Sequence, residues 1–277
     1  MTFLRIIAQL LVLLTLLGSI SMAMADESKF SGGFLNLEKD SDQYSSQRVL
    51  EFWGYHNTYG EQTQANILTL RYYQPLHFDQ WRGTMRLDTS YNSTYGPNLP
   101  EQSSGTYNAG NTMLTLWGNH PDILKNWEGT LGGRVIFPFG NYGQWAAGPQ
   151  IGTVYIPSKD SDTHLSDFSP LARYMFGFDT KKNSFANNPN QPPLIRNLNL
   201  YPTIGFNITP GTQIRFWDEN GMIWNTGGGG GWFIPIDAMV TQRINKNLLF
   251  AIGGAKQVVQ TYPLYNWTVY GKVALTF

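Results

Sequence analysis

Charged side chains recur at alternate positions within otherwise apolar stretches of this sequence. In residues 81–92, for example, Arg82, Arg86 and Asp88 occupy even positions, whereas Met85 and Leu87 occupy odd ones. Successive residues of a β-strand point to opposite faces, so these three charges are expected to share one face. Charges gathered on an enclosed face attract, repel or hold ions and polar solutes. The residues predicted to form such a face along the chain are Arg71, Arg82, Arg86, Asp88, Arg134, Arg173, Arg215, Asp237, Arg243 and Lys272.

Motifs for bond-making chemistry are absent from the sequence. It has no Gly-x-Ser-x-Gly elbow, no His-Glu-x-x-His pair, no phosphate-binding loop and no cysteine. One alternative is an outer-membrane lipid hydrolase that uses a strand-borne serine and histidine, for which His56 with Ser90 or Ser93 is the nearest candidate set. We expect no catalytic residues, no metal site and no cofactor. The formal net charge of zero argues against nucleic-acid binding.

The last twelve residues show the clearest strand pattern of the chain. Their odd positions, from Trp267 to Phe277, are apolar or glycine, and their even positions include Lys272. The length is close to the roughly 9–11 residues that cross an outer membrane. This ending resembles the last strand of bacterial outer-membrane barrels, which the barrel assembly machinery recognises. The resemblance implies that Phe277, Leu275 and Val273 form the assembly signal.

The first 47 residues divide into two predicted segments. Residues 1–25 combine a basic start, an apolar run of twelve residues and a small-x-small site, which predicts a cleaved export signal. Residues 26–47 are polar and are expected to form a periplasmic N-terminal segment or a plug in the barrel mouth. The remaining chain, residues 48–277, is predicted to be one β-barrel in the cell outer membrane.

Alternation and turn residues together predict an all-β fold: a closed antiparallel transmembrane β-barrel of about 12 strands, with short periplasmic turns and long extracellular loops. An irregular soluble β-sandwich is the alternative. The chain is 14% aromatic, 14% charged and contains 29 glycines, which suits a barrel with aromatic belts. The predicted strands are 48–57, 65–76, 81–92, 107–119, 127–139, 144–156, 170–180, 195–208, 212–219, 232–243, 248–257 and 267–277.

Long and short connections alternate along the chain, as they do in such barrels. The long connections around 96–105 and 187–193 are expected outside the cell, and residues 220–231, with five consecutive glycines, are expected to form a flexible outer loop. The connection 158–169 is the exception, because it is long where a short turn is due. Val273 and Ile236 are expected to face lipid near the middle of the membrane.

Several short motifs resemble one family of outer-membrane proteins. The run from Asn66 to Leu76 followed by Trp81, the run 143–152, and Trp232-Phe-Ile-Pro-Ile are similar to the family labelled as the MetA pathway of phenol degradation. The resemblance covers roughly residues 62–277, but this chain has Asp237, Ala238 and Met239 where the family tends to have glycines. It implies passage of small, aromatic or apolar molecules across the outer membrane.

Two interpretations of the charged face remain open. Because the predicted bases outnumber Asp88, Glu128 and Asp237, the face could form a constriction that favours anions or carboxylated solutes. Alternatively, crossed arginine–carboxylate pairs fill a narrow lumen, and the barrel is a non-conducting structural or adhesive protein. Aromatic residues predicted on the same face could guide an aromatic solute; they are Tyr73, Tyr201, Trp217, Phe233 and Tyr270.

Overall fold

The fold is seen in a computed structural model of the chain. The residues that it describes are 47–59, 63–78, 81–95, 108–138, 144–158, 163–180, 194–227, 229–262 and 264–277. The predicted export signal, nearly all of the predicted N-terminal segment 26–47, and the loops around 96–105 and 187–193 lie outside these residues. Among these residues, no helix is long and apolar enough to cross a membrane.

The described residues form thirteen antiparallel strands in one sheet. Each predicted strand overlaps an observed one, which follows from the local period-two pattern. The strands are β1 Val49–Thr58, β2 Gln64–Phe78, β3 Trp81–Tyr95, β4 Asn108–Leu124, β5 Trp127–Phe137, β6 Gln144–Tyr155, β7 Leu165–Thr180, β8 Arg196–Thr209, β9 Thr212–Phe216, β10 Met222–Asn225, β11 Trp232–Asn245, β12 Leu248–Gln260 and β13 Trp267–Thr276.

The sheet closes into a barrel with twelve strand positions. Each strand pairs with its neighbour in sequence except β9 with β10, and β13 pairs with β1 over its full length. The short strands β9 and β10 share one position, because both pair with β8 on one side and with β11 on the other. The prediction of a closed antiparallel barrel of about twelve strands is therefore confirmed.

The distribution of polarity is the reverse of that in a soluble protein. Large apolar side chains on the outer surface are exposed, including Phe52 at 50%, Leu131 at 52% and Ile151 at 61%. Charged side chains are instead buried inside, including Arg173 at 1% and Arg215 at 0%. An apolar exterior around a polar interior is the arrangement of a transmembrane β-barrel, which has lipid outside and polar groups within.

Aromatic side chains mark both ends of the outer wall. At one end, the ring of Trp127 lies 5.2 Å from that of Tyr155. At the other end, Trp224 and Trp232 stack at 5.6 Å, and Trp145 lies 6.4 Å from Phe178. Aromatic belts of this kind flank the apolar band of membrane barrels, because their amphipathic rings suit the lipid–water interface.

The two ends of the barrel differ in the lengths of their connections. We call the turn end the one that carries the two-residue turns 125–126, 210–211 and 246–247, together with Arg48 and Phe277. At the turn end, the backbone amides and carbonyls of Arg48 and Phe277 bond reciprocally at 3.0 and 3.1 Å. The opposite end, here the loop end, carries the connections between β3 and β4 and between β7 and β8.

Two predicted connections are wrong in detail. Strand β7 begins at Leu165, so the connection that was expected to span 158–169 is shorter than its composition indicates. Residues 222–225 form β10, although they lie in the stretch that was predicted to be entirely loop. In both places the strand residues include few β-branched side chains and adjoin glycine, proline or serine, so the local pattern was misleading.

Both residues that were expected at mid-membrane lie on the outer face, but their neighbours on adjacent strands differ. Val273 is paired with Phe52 on β1 and Phe250 on β12, which are apolar. Ile236 is paired with Lys256, an exposed lysine on β12. A lysine is costly in the centre of the membrane. Ile236 therefore lies nearer the interface than alternation alone indicates.

Candidate functional site

An inward segment, residues 217–221, interrupts the barrel wall between β9 and β10. Trp217 has a φ of 50°, a left-handed backbone conformation that is strained for a bulky residue and turns the chain out of the strand. A Cβ atom on Gly221 would lie 2.6 Å from the Leu200 carbonyl oxygen, so only glycine fits where the segment rejoins the wall. The pairing of β11 with β9 stops at Phe216 as a result.

Glu219 at the middle of the inward segment reaches the far side of the lumen. Its carboxylate accepts hydrogen bonds from the Arg71 guanidinium at 2.6 and 2.9 Å and from the Tyr55 hydroxyl at 2.7 Å. Arg71 lies on β2 and Tyr55 on β1, and β2 is five of the twelve positions away from β9 and β10. The segment therefore spans most of the barrel width and narrows the lumen.

The ends of the inward segment are held by the wall beside it. The Asn220 side chain donates to Asp237 Oδ1 at 2.9 Å, and the Thr203 hydroxyl donates to the Trp217 carbonyl at 2.7 Å. Asp218 accepts a hydrogen bond from Arg215 Nε at 2.9 Å. These contacts fix where the segment leaves and rejoins the barrel, so that Glu219 projects from an anchored base.

Beneath Glu219, a buried ion pair joins the first and last strands. Lys272 Nζ lies 2.6 Å from Glu51 Oε1, and both side chains are almost fully buried. The other carboxylate oxygen accepts from Trp53 Nε1 at 2.8 Å and from the Tyr73 hydroxyl at 3.1 Å. Both oxygens of the Glu51 carboxylate therefore have hydrogen-bond donors, as burial of a charge requires.

A second buried ion pair lies on the opposite side of the interior. Arg215 donates to both oxygens of Asp167, at 2.6 and 3.0 Å, and Asp167 also accepts from the hydroxyls of Ser166 and Ser169. A Cβ atom on Gly205 would come within 2.8 Å of Arg215 Nη1. The glycine on β8 thus makes room for the guanidinium.

The remaining arginines of the charged face also make polar contacts. Arg82 lies 2.7 Å from Glu128, and Arg86 binds Asp88 through two nitrogens at 2.6 and 2.7 Å. Arg134 donates from Nε to the Thr115 hydroxyl at 2.8 Å. Arg173 donates in the same way to Gln150 at 2.9 Å, and its guanidinium lies 5.6 Å from the Tyr201 ring.

All ten residues that were predicted for the charged face lie on the interior side of the wall. Most are buried, and Arg82, Arg134 and Arg243 are partly exposed to the lumen. Their role in lining a pore stays a prediction. The surplus of positive charge is much smaller than expected, because four further acidic residues lie inside beside the bases; these are Glu51, Asp167, Asp218 and Glu219.

Each of these four acids was not assigned to the interior for a reason that lies in its own stretch of sequence. Glu51 could have been assigned to the interior from the sequence, because it alternates with Val49 and Trp53 and so lies on the same face of β1. Asp167 was hidden because it lies in the part of β7 that was assigned to a connection. No strand pattern could have assigned Asp218 and Glu219, since they enter the lumen from the inward segment. Among the described residues, no group of three or more histidine, aspartate or glutamate side chains is placed to hold a metal ion.

Four of the five aromatic residues that were predicted inside are on interior positions of their strands. Tyr73, Phe233 and Tyr270 are buried there, and Tyr201 is half-buried. Trp217 instead leaves its strand, donates from Nε1 to the Pro235 carbonyl at 2.9 Å and lies beside the ring of Phe216. The prediction of an interior position therefore agrees with the structure for four of these residues, and Trp217 lies on the inward segment instead.

The geometry does not favour a serine hydrolase. His56 Nδ1 lies 2.8 Å from the Asn66 side chain on β2, and Asn66 is paired in turn with Ser93 on β3. Asn66 therefore stands between the histidine and the serine, which are two strand spacings apart, or about 10 Å. A nucleophilic serine needs its base within hydrogen-bonding reach. Ser90 lies on the interior face of β3, whereas Ser93 and His56 lie on the opposite face of the wall, so Ser90 cannot meet the histidine either.

Two solved structures share this architecture with the chain. An outer-membrane channel from Pseudomonas putida F1 matches with a TM-score of 0.66 and 12% identity, over 86% of this chain and 99% of the channel. The NanC porin matches with a TM-score of 0.51 and 9% identity, over 82% of this chain and 99% of the porin. At such identities the likeness concerns the fold, which is that of an outer-membrane β-barrel. Comparison with known families and with curated proteins gave no match.

Proposed function

We propose that this protein is a passive channel for small molecules in the outer membrane. The observation that carries the proposal is a charged interior that solvent still reaches. On interior positions of the wall, the side chains of Arg82, Arg134 and Arg243 are partly exposed. A barrel with an apolar exterior and a polar interior that water enters is the arrangement of an outer-membrane channel. A lumen filled completely by matched side chains would leave these arginines buried.

The inward segment sets the size of the solutes in this proposal. It reaches from β9 and β10 to Arg71 on β2, so a solute has to pass beside it. Loops and segments folded into a barrel lumen narrow the path in channels of this class. Passage is therefore restricted to small molecules.

The proposed solutes are small aromatic or anionic molecules. The partly exposed arginines Arg134 and Arg243 supply positive charge, and Tyr201 and Tyr55 supply aromatic surface beside the lumen. Because interior acids balance most interior bases, selection for anions is local to a few arginines and moderate in size. The resemblance to the phenol-degradation family supports an aromatic solute, and that family assignment stays a prediction.

Conductance of the purified protein in planar lipid bilayers tests this proposal. We expect discrete current steps and a reversal potential that shows a moderate preference for chloride over potassium. Arg134→Gln should reduce that preference, because glutamine can keep the hydrogen bond to Thr115 but removes one lumenal charge. Lys246→Gln at the turn end is the matched control and should leave the reversal potential unchanged.

A non-conducting structural barrel is the second candidate. The ion pairs Lys272–Glu51, Arg86–Asp88 and Arg215–Asp167 favour it, because matched buried charges can fill a lumen. This candidate predicts no current from the wild-type protein at any voltage that the bilayer tolerates. That result, from protein shown to be folded, would refute the channel.

The proposed orientation places the turn end in the periplasm and the loop end outside the cell. The proposed partners are the lipid bilayer, the barrel assembly machinery and small-molecule solutes, with no nucleic acid. Because the chain has no cysteine, single cysteines report orientation without background. Asn266→Cys at the loop end should react with an impermeant thiol reagent on intact cells. Lys246→Cys at the turn end should react only after the outer membrane is broken; the reverse pattern would invert the orientation.

A further inference from the structure

The contacts of Glu219 define a carboxylate-binding site on the opposite wall. Arg71 binds the two oxygens of Glu219 through two different nitrogens, at 2.6 and 2.9 Å. The Tyr55 hydroxyl donates to one of the same oxygens at 2.7 Å. A bidentate guanidinium with an added hydroxyl donor is a strong and geometrically specific arrangement for binding a carboxylate.

The wall holds this site in place through contacts that do not involve Glu219. The Arg71 guanidinium lies 4.3 Å from the centre of the Trp53 ring, and its Nε lies 3.8 Å from Asp88. It also donates to the Tyr55 hydroxyl at 3.0 Å. Arg71 is itself 7% exposed, on the middle of a long strand. The site would therefore keep its geometry if Glu219 moved away.

Glu219 is the more accessible member of the pair. Its side chain is 16% exposed, against 8% for Arg71. Glu219 lies in the five-residue inward segment, which is not paired with a neighbouring strand, whereas the backbone of Arg71 is held within β2. Because Asn220 and Trp217 anchor the base of the segment, rotation of the Glu219 side chain releases Arg71 without unfolding the wall.

Aromatic rings surround the guanidinium. Trp53 and Tyr55 stack at 5.7 Å with planes 8° apart, and Tyr270 lies 5.9 Å from Tyr55. Trp53 and Tyr270 are buried. A flat aromatic body attached to a carboxylate would therefore lie against the half-buried Tyr55 ring, in the space that Glu219 leaves, while its oxygens meet Arg71 and the Tyr55 hydroxyl. An amide or alcohol of the same shape would lack the charge that the guanidinium prefers.

We propose that Arg71 and Tyr55 form a binding site for a small aromatic carboxylate solute, and that Glu219 is its built-in competitor. This inference rests on the proposed channel function and names the solute class and the place where it binds. A solute carboxylate exchanges with that of Glu219 on Arg71, and the displaced glutamate becomes hydrated in the lumen. No covalent step is involved, so the exchange is reversible.

Calorimetric titration of the full chain in detergent with benzoate tests the exchange. In Glu219→Gln a neutral amide replaces the competing carboxylate, so benzoate should bind about fivefold tighter or more, the lower end of typical coupling between sites. The double variant Glu219→Gln/Arg71→Gln should lose benzoate binding. Both residues are replaced so that no Glu219 carboxylate is left without its arginine partner. Benzamide, the neutral analogue, should bind weakly and equally to all three proteins. Heat-modifiable gel mobility establishes that each variant is folded.

The outcomes separate this site from the channel proposal. Equal benzoate affinity in the wild type and Glu219→Gln, or equal binding of benzoate and benzamide, would overturn the site even if the protein conducts. Benzoate binding that depends on Arg71 in a protein without measurable current would support the site and refute the channel. Absence of benzoate binding to every folded variant would also overturn the inference.

Discussion

Replacing Lys272 by methionine is expected to lower the free energy of unfolding by about 3–5 kcal/mol, the usual cost of removing one member of a buried ion pair. Lys272 Nζ lies 2.6 Å from Glu51, and both side chains are almost fully buried. Without the lysine, Glu51 would keep a full negative charge with only Trp53 and Tyr73 as donors. Urea unfolding of the protein in lipid vesicles, followed by tryptophan fluorescence, measures the loss.

A double variant distinguishes the stranded charge from lost packing. In Glu51→Gln/Lys272→Met the remaining amide oxygen can still accept from Trp53 and Tyr73, and no charge is buried alone. We therefore expect the double variant to be more stable than Lys272→Met. Lys246→Met, which removes an exposed lysine at the turn end, should change stability by less than about 0.5 kcal/mol. A double variant that is no more stable than the single one would contradict the assigned role of the ion pair.

Arginine in place of Val240 is expected to cost about 2–4 kcal/mol, as for a charge at the middle of the lipid face. Val240 is on the outer face of β11, and its cross-strand neighbours are Ile252 on β12 and Ile214 on β9. All three side chains lie on the apolar outer face of the barrel, so in a membrane the guanidinium would have no water within easy reach. Unfolding in vesicles measures the effect under the same conditions as above.

Ile236→Arg is the matched control on the same strand. Ile236 lies about 13 Å from Val240 along the strand and is paired with Lys256. Because the cost of a charge falls towards the interface, Ile236→Arg should destabilise by only about 0–1 kcal/mol. Equal losses at the two positions would show that the assigned depth is wrong. An inward arginine is not a suitable control, because Thr241 and Ala274 are buried in packed interior positions.

The architecture of the wall could be predicted from the sequence because it depends on local information. Alternation with period two assigns Val273 and Phe277 to the outer face and Lys272 to the inner face without any knowledge of their partners. The same reasoning assigns Arg82, Arg86 and Asp88 to one face of β3, where the structure also has them. The strand count follows from the succession of such segments and the turns between them.

The ion pairs of the interior could be identified only from the tertiary structure, because the paired residues are far apart in sequence. Glu51 and Lys272 are separated by 221 positions, and Arg71 and Glu219 by 148. Only barrel closure brings β1 beside β13, and no periodicity reports which acid meets which base. The sequence therefore indicated an interior with surplus positive charge, and the folded chain has acids beside most of those bases.

The inward segment marks the limit of pattern-based prediction in this protein. The sequence by itself determined a barrel of about twelve strands, its lipid-facing side and its charged inner side, because residue polarity must match lipid on one face and water on the other. Only the tertiary structure decided that residues 217–221 leave the wall and that Glu219 meets Arg71. The physical reason is that this path depends on a left-handed Trp217, on space at Gly221 and on a guanidinium across the lumen, none of which leaves a periodic signal in the chain.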